Sequence, residues 1–159
     1  MVTGRAALRL YGYGNWSGAV HVLVDADRRV QSTGFVLVER TTRMPESEKR
    51  LGVQCAPLVR ALLDAARRSA TMDEARGLIA EVIQRGAVTV AELVWELDAG
   101  SPRGSALVRR VLREMSANVH SVAEVHSRRL WQQSGLPTML FNHKIADRSG
   151  NFIAMLDGW

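Results

Sequence analysis

Two acidic side chains are the clearest candidates for chemistry in this sequence. Asp157 follows the apolar run FIAML, in a stretch typical of a strand. An unpaired carboxylate is costly to bury in such a strand. Near the chain end, however, Asp157 can simply lie exposed to solvent. Glu124 also has a structural interpretation, because it completes a capping box with Ser121 and lies four residues before Arg128. Two carboxylates from separate elements make a weak magnesium site, since Mg²⁺ gives up its water reluctantly.

Histidine and cysteine add no second site of comparable strength. His120, His126 and His143 could act as bases, but the sequence places no serine or cysteine partner beside them. Cys55 is the single cysteine, so it can form neither an internal disulfide nor a zinc site by itself. A reducing cytoplasm is therefore the expected compartment.

Arginine dominates the charge of the chain. The formal net charge is +5, with 19 arginines and 2 lysines; the arginine fork suits phosphate, although a GC-rich genome would give the same bias. Residues 101–130 hold six arginines and two acids, which indicates a surface for a polyanion or, alternatively, a solvated helix face. The nucleic-acid-binding candidates are Arg103, Arg109, Arg110, Arg113, Arg128 and Arg129.

The apolar patterning predicts strands at both ends of the chain. The β-branched runs AVHVLV (19–24) and GFVLVERT (34–41) predict an N-terminal hairpin, and GVQC a short third strand. Residues 42–49 are polar and predict a loop. LPTMLFNHKIA and NFIAMLD, separated by the turn DRSG, predict a second hairpin at the C-terminal end.

Four or five helices are predicted between the two hairpins. Thr3 is expected to cap a separate short helix through Leu10, and Pro57 stands at the start of the first long one. Capping boxes open three more, and Ser101-Pro102 opens another, whose buried stripe is Val108, Val111, Leu112 and Met115. The boxes are Thr71–Glu74, Thr89–Glu92 and Ser121–Glu124.

The order of these elements predicts an α+β fold, in which the N-terminal hairpin packs on a cluster of four or five helices. The polar stretch SANVHS before Ser121 indicates a boundary, which divides the chain into domains 1–118 and 119–159. No apolar run approaches the roughly 20 residues of a membrane helix, so no membrane association is expected.

Two regions resemble known bacterial families. TGRAALRLYGYG, the two β-branched runs and CAPLVRALLDAARR resemble the central region of abortive-infection AbiEi-type antitoxins and related transcriptional regulators. SVAEVHSRRLWQQSGLPTMLFNHKIADRSGNFIAMLDGW resembles the opening of the Vsr-like (very-short-patch-repair) endonuclease domain, with its Ser-x-x-Glu helix, Gly-Leu-Pro turn and hairpin ending in an acid.

The second resemblance implies an incomplete PD-(D/E)xK site. Glu124 matches the helix glutamate, and Asp157 matches the strand aspartate that would bind Mg²⁺. The family's next strand, which carries the third acidic element, does not occur in this sequence. The final hairpin would then belong to an unfinished nuclease-like sheet, no cofactor is expected for the chain as it stands, and phosphodiester cleavage is not expected.

Three functions are consistent with these features. The favoured one is a DNA-associated regulator or antitoxin-type protein of a phage-defence or toxin–antitoxin system, without catalysis. The second is a truncated Vsr-like nuclease that is active with Mg²⁺ once its missing strands are supplied. The third is a module that binds a toxin protein through the apolar final hairpin. The same hairpin could also pair two copies in a homodimer.

Overall fold

The computed structural model describes the backbone of residues 1–14, 18–135, 143–146 and 152–156, and the side chains of 1–14, 18–116, 130, 131 and 133–135. The contacts divide the chain into two compact units, Met1–Ser116 and Ala117–Trp159. Their division lies close to the predicted one. Whether the units are the two family domains stays a prediction.

Strands and helices are largely grouped along the chain, as in an α+β protein. The first part contains β1 (Val2–Thr3), α1 (Gly4–Leu10), β2 (Val20–Asp25), β3 (Val36–Thr41), β4 (Glu48–Arg50), β5 (Val53–Cys55), α2 (Leu58–Arg67), α3 (Met72–Gln84) and α4 (Val90–Asp98). Then follow α5 (Ala106–Gln133), β6 (His143–Ala146) and β7 (Phe152–Leu156). Five helices and a five-stranded mixed sheet within the described residues confirm the predicted fold class.

The large sheet has the strand order β3-β2-β1-β5-β4. Strand β1 lies at its centre, antiparallel to β2 and parallel to β5. The short strand β4 forms one edge and pairs with β5 across a two-residue turn, where Leu51 and Gly52 have φ of 48° and 83°. Two positive φ values are typical of the turns that match strand twist. The sequence predicted a loop over 42–49, because the charged residues of β4 have weak strand propensity.

The predicted N-terminal hairpin is wrong in its pairing. Strands β2 and β3 are parallel, with Val20 opposite Val36 and Asp25 opposite Thr41. The connection, residues 26–35, is long enough to bring the chain back beside the free edge of β3. There the Arg40 guanidinium donates to the carbonyl oxygens of Arg28 and Val30. Parallel pairing places the ends of β2 and β3 at the same edge of the sheet, which a hairpin would not do.

Helix α2 is the centre of the helical layer and packs against α1, α3 and α4. Its residues 60–66 are all buried, and the core around them is assembled from every helix of the first unit. Val108, Val111 and Leu112 of α5 are buried and Met115 packs against the same core, as the predicted stripe requires. Helix α2 is therefore enclosed by the other helices and also contacts β1 of the sheet.

Three predicted helix starts have different outcomes. At α4 the Thr89 hydroxyl accepts from the Glu92 amide at 3.2 Å and Glu92 accepts from the Thr89 amide at 2.7 Å, so this capping box is confirmed. At α3 the Thr71 hydroxyl caps in the same way, but Glu74 accepts from the amide of Ala70 instead. At α1 the Thr3 side chain makes no cap, because its hydroxyl donates to a buried carboxylate of α2.

Removing the confirmed cap is expected to destabilise the protein. The Thr89→Ala variant loses the hydroxyl acceptor for a first-turn amide of α4, so we expect its free energy of unfolding to fall by about 1 kcal/mol. Urea denaturation measures this. Thr42→Ala, at an exposed loop position, should stay within about 0.5 kcal/mol of the wild type. Equal values for the two variants would contradict the capping role.

The predicted fifth helix start at Ser121 is wrong. Helix α5 runs without interruption over Ala106–Gln133. Its sequence contains neither glycine nor proline, and nothing local therefore ends the helix before Ser121. A Ser-x-x-Glu pattern also occurs inside helices. There, a glutamate four residues before an arginine, as Glu124 is before Arg128, is a favourable pair. Glu124 consequently does not lie in a first helical turn.

The second unit contains the predicted C-terminal hairpin. Strands β6 and β7 pair antiparallel, with His143 opposite Leu156 and Ala146 opposite Phe152. In the part of the chain that the structure describes, they form a sheet of two strands. That this hairpin belongs to an unfinished nuclease-like sheet stays a prediction. None of the helices over the described ranges is both long enough and apolar enough to cross a membrane.

Candidate anion-binding site

An arginine-lined cleft opens at the edge of the first unit where the parallel strands β2 and β3 end. Its volume is about 740 Å³. Three segments form its walls: the end of β3 with the loop behind it, one face of α2, and the loop between α4 and α5. We call it the arginine cleft, because it is lined by six arginines: Arg40, Arg43, Arg60, Arg67, Arg68 and Arg103.

The first wall carries Arg40 and Arg43. Arg40 is exposed, and its guanidinium is held at 2.9 and 3.1 Å by the carbonyl oxygens of Arg28 and Val30. Neither contact neutralises its charge. Arg43 forms an ion pair with Glu96 of α4, and its Nε lies buried without a hydrogen-bond partner.

The second wall is a face of α2, where arginines recur at helical spacing. Positions 60, 67 and 68 fall on one side of the helix because they are seven and eight residues apart. Arg60 is 7% exposed and donates from Nε to Asp64 at 3.0 Å. Arg67 is 13% exposed at its side chain and donates to the carbonyl oxygen of Ser101 at 3.2 Å. Arg68 is exposed and is paired with Glu39 of β3 at 2.8 Å.

Asp64 supports this wall from inside the protein. It is 1% exposed and accepts a hydrogen bond of 2.7 Å from the Thr3 hydroxyl as well as the Arg60 bonds. Arg67 Nη1 lies 3.9 Å from its Oδ1. Burial raises the pKa of the Asp64 carboxyl, and Arg60 and the Thr3 hydroxyl act in the opposite direction. The orientation of two lining arginines therefore depends on one buried carboxylate.

The third wall supplies Arg103 from the loop after α4. This residue is exposed, and no carboxylate contacts its guanidinium among the residues that the structure describes. Its backbone amide donates to the Ser101 hydroxyl at 3.3 Å, which fixes the loop rather than the side chain. Arg103 can therefore turn towards a bound anion without breaking an ion pair.

The arginine cleft has an excess of positive charge. Three carboxylates contact its six arginines, from Glu39, Asp64 and Glu96, so three positive charges are not compensated by these contacts. The Nε atoms of Arg43 and Arg67 are buried donors without partners, and such donors favour an acceptor. Guanidinium groups that converge with spare donors suit phosphate oxygens.

The predicted arginine stretch is only partly assembled into this site. Of the six candidates, Arg103 lines the arginine cleft. Arg109 forms an ion pair with Asp98 and Arg110 pairs with Glu114 at 3.4 Å, while Arg113 donates to the carbonyl oxygen of Arg109. These contacts correspond to the solvated helix face that the sequence left open. Arg128 and Arg129 lie on α5, and their side chains are outside the described residues.

The predicted catalytic acids are not brought together within the described part of the chain. Glu124 lies on α5 without a described side chain, and Asp157 lies outside the described residues. Across the side chains that the structure does describe, no group of three His, Cys, Asp or Glu could hold a metal ion. The nuclease site and its Mg²⁺ therefore stay predictions.

Five arginines of the cleft were not singled out from the sequence. They lie on β3, the following loop and α2, and no local run of positive charge contains them. Their only local signal is the spacing of Arg60, Arg67 and Arg68, which lie on or directly after α2. Parallel pairing of β2 and β3 was needed to place Arg40 and Arg43 opposite that helix.

Comparison with known proteins finds no match, whether among protein-family models, curated proteins or solved structures. The resemblance to AbiEi-type antitoxins and to Vsr-like nucleases therefore stays a prediction from the quoted motifs. The functional assignment depends on the geometry and charge of the arginine cleft.

Proposed function

We propose that this chain is a nucleic-acid-binding regulatory protein of the antitoxin type, and that the arginine cleft binds the phosphates of its nucleic acid. The observation that carries the proposal is the excess of three positive charges among arginines from three separate segments. Its site differs from the one that the sequence indicated. The α5 arginines with described side chains, Arg109, Arg110 and Arg113, make contacts within the protein, whereas Arg103 of the preceding loop lines the cleft.

The chemistry of the lining favours phosphate over other ligands. Carboxylate and phosphate both fit the guanidinium fork, but a polyanion gains more from several converging arginines, because each phosphate contact also releases counterions. The lining residues include no aromatic side chain on which a base could stack. Binding through this cleft should accordingly depend on the phosphates and little on base sequence.

The regulatory and antitoxin parts of the proposal come from the resemblance. A regulator needs to bind nucleic acid without cutting it, and the arginine cleft offers binding groups without a metal-ligating cluster among its lining residues. DNA is the expected nucleic acid, and a toxin protein is the expected partner. Both are tested by purification with the neighbouring gene product and by the binding measurements below.

Salt dependence is the first test of phosphate binding. A fluorescently labelled oligothymidylate is titrated with protein, and anisotropy gives the affinity at about 50 and 200 mM salt. Each phosphate contact to a single strand lowers the logarithmic affinity by about 0.7 per decade of salt. With about three contacts, we expect a roughly twentyfold loss of affinity over this range.

Arg103→Gln localises the binding to the arginine cleft. Removing one charged donor should weaken binding about tenfold and make the salt slope shallower by about 0.7. Arg113→Gln makes the same charge change on the exposed face of α5 and should leave the affinity within about twofold. The proposal fails if no oligonucleotide binds at the lower salt concentration, or if Arg113→Gln weakens binding as much as Arg103→Gln does.

A further inference from the structure

We propose that the arginine cleft receives the phosphorylated end of a nucleic-acid strand, in preference to the phosphates within the strand. The inference rests on the proposed function and adds the ligand group that the cleft selects. A terminal phosphate is a monoester with about 1.5 to 2 negative charges at neutral pH, whereas each internal diester carries one.

The arrangement of the arginines suits a terminal phosphate better than a phosphate within the strand. Proteins that track a strand align their cations along an extended groove. Here the cations come from three walls and face one volume of about 740 Å³, which lies within the size range of pockets for small ligands. Converging cations of this kind concentrate their attraction on a single group of high charge density.

The charge of the cleft also matches a dianion better than a monoanion. Glu39, Asp64 and Glu96 leave three positive charges without compensation among the lining arginines. A terminal phosphate would offset two of them, and an internal phosphate would offset one. The stronger Coulomb attraction of the dianion is retained because Arg60 and Arg67 are largely shielded from water.

The number of hydrogen-bond donors in the cleft also favours a terminal phosphate. A terminal phosphate presents three acceptor oxygens, one more than a diester presents outside its ester linkages. Donors are available on separate walls: Arg103 is exposed, and the buried Nε atoms of Arg43 and Arg67 are without partners. Arg103, which no carboxylate contacts within the described residues, has donors to offer the third oxygen.

The experiment compares matched oligothymidylates of about twelve nucleotides, within the site sizes usual for single-strand binders. One has free hydroxyls at both ends, one a 5′-phosphate and one a 3′-phosphate, and each has its fluorophore on an internal base. We expect one phosphorylated strand to bind at least about tenfold more tightly than the unphosphorylated strand. We expect Arg103→Gln to reduce this preference and Arg113→Gln to leave it unchanged.

The pH dependence of binding tests the preference for a terminal phosphate independently. The second ionisation of a phosphate monoester has a pKa of about 6, and no histidine lines the cleft. The preference for the phosphorylated strand should therefore shrink between about pH 7.5 and 5.5. The unphosphorylated strand, measured at the same pH values, corrects for titration of the protein.

The outcomes separate this inference from the proposed function. If all three strands bind equally, the end-group inference is overturned while nucleic-acid binding stands. If none binds, both fail. Thymidine monophosphate and inorganic phosphate serve as competitors. If either binds as tightly as the phosphorylated strand, the ligand is a free phosphate compound, which overturns the inference in favour of a small-molecule site.

Discussion

Replacing Asp64 with alanine is expected to lower the free energy of unfolding by about 3–5 kcal/mol, the largest loss of stability that we predict for a single substitution. The carboxylate is 1% exposed and the Arg60 side chain it contacts is almost as deeply buried. Its removal leaves the Thr3 hydroxyl without its acceptor, and it leaves the largely buried Arg60 with one carboxylate nearby, that of Glu96 at 3.7 Å. Loss of the close partner of a buried charge is far more costly than loss of a surface contact.

Urea denaturation of three variants isolates this effect. Asp64→Asn keeps the shape and an oxygen acceptor, so we expect about half the loss seen with alanine, and it provides a folded reference if the alanine variant does not fold. Glu81→Ala removes the partner of Arg85 at the same helical spacing, a carboxylate that is 33% exposed, and should lose at most about 1 kcal/mol. Similar losses for Asp64→Ala and Glu81→Ala would show that burial does not set the energetics.

The pH dependence of this site follows from the raised pKa of Asp64. Burial disfavours the ionised carboxyl in the folded protein more than the neighbouring groups favour it. A carboxyl with a raised pKa contributes most stability below its ordinary pKa, about 3.8, and loses this contribution as the pH rises through the raised value. The stability advantage of wild type over Asp64→Asn should therefore decline as the pH increases across that window.

Reversing two charges in the arginine cleft is expected to have the largest effect on binding. Arg40→Glu combined with Arg103→Glu turns an excess of three positive charges into an excess of one negative charge. Neither side chain supports the core, because both are exposed and Arg40 contacts backbone carbonyls alone. We expect oligonucleotide affinity to fall more than about 100-fold at low salt, from lost phosphate contacts and like-charge repulsion.

A matched reversal on α5 tests whether location or total charge matters. Arg110→Glu combined with Arg113→Glu changes the net charge equally on the exposed helix face and should weaken binding less than about fivefold. Glu39→Gln instead makes the cleft more positive, because it removes the acid paired with Arg68. It should strengthen oligonucleotide binding severalfold. If both reversals abolish binding alike, overall charge and not the cleft attracts the nucleic acid. Thermal unfolding verifies that each variant is folded.

Asp64 also supports the arginine cleft from inside the protein. Asp64 lies behind the α2 wall, and the same carboxylate contacts Arg60 and Arg67, which face the arginine cleft. Stability and binding are thus connected through one buried group. A site whose charged side chains are held in place in advance loses less conformational entropy when its ligand binds.

The sequence by itself determined the features that depend on neighbours a few residues apart. The capping box of Thr89 and Glu92, the buried stripe Val108, Val111 and Leu112, and the C-terminal hairpin were all predictable. In each case the energy comes from contacts within one helical turn, from a regular apolar period, or from pairing of two strands that are close in the chain. The α+β class follows from the order of these elements.

Tertiary structure decided what depends on residues far apart in the chain. Strand propensity does not distinguish parallel β2 and β3 from a hairpin, and their pairing is set by contacts with the rest of the sheet. The arginine cleft is the clearest case, because its lining residues come from four stretches between Ala26 and Gly104. Like charges gather there because buried and partly buried carboxylates hold them in place, and this compensation is absent until the sheet and α2 have packed together.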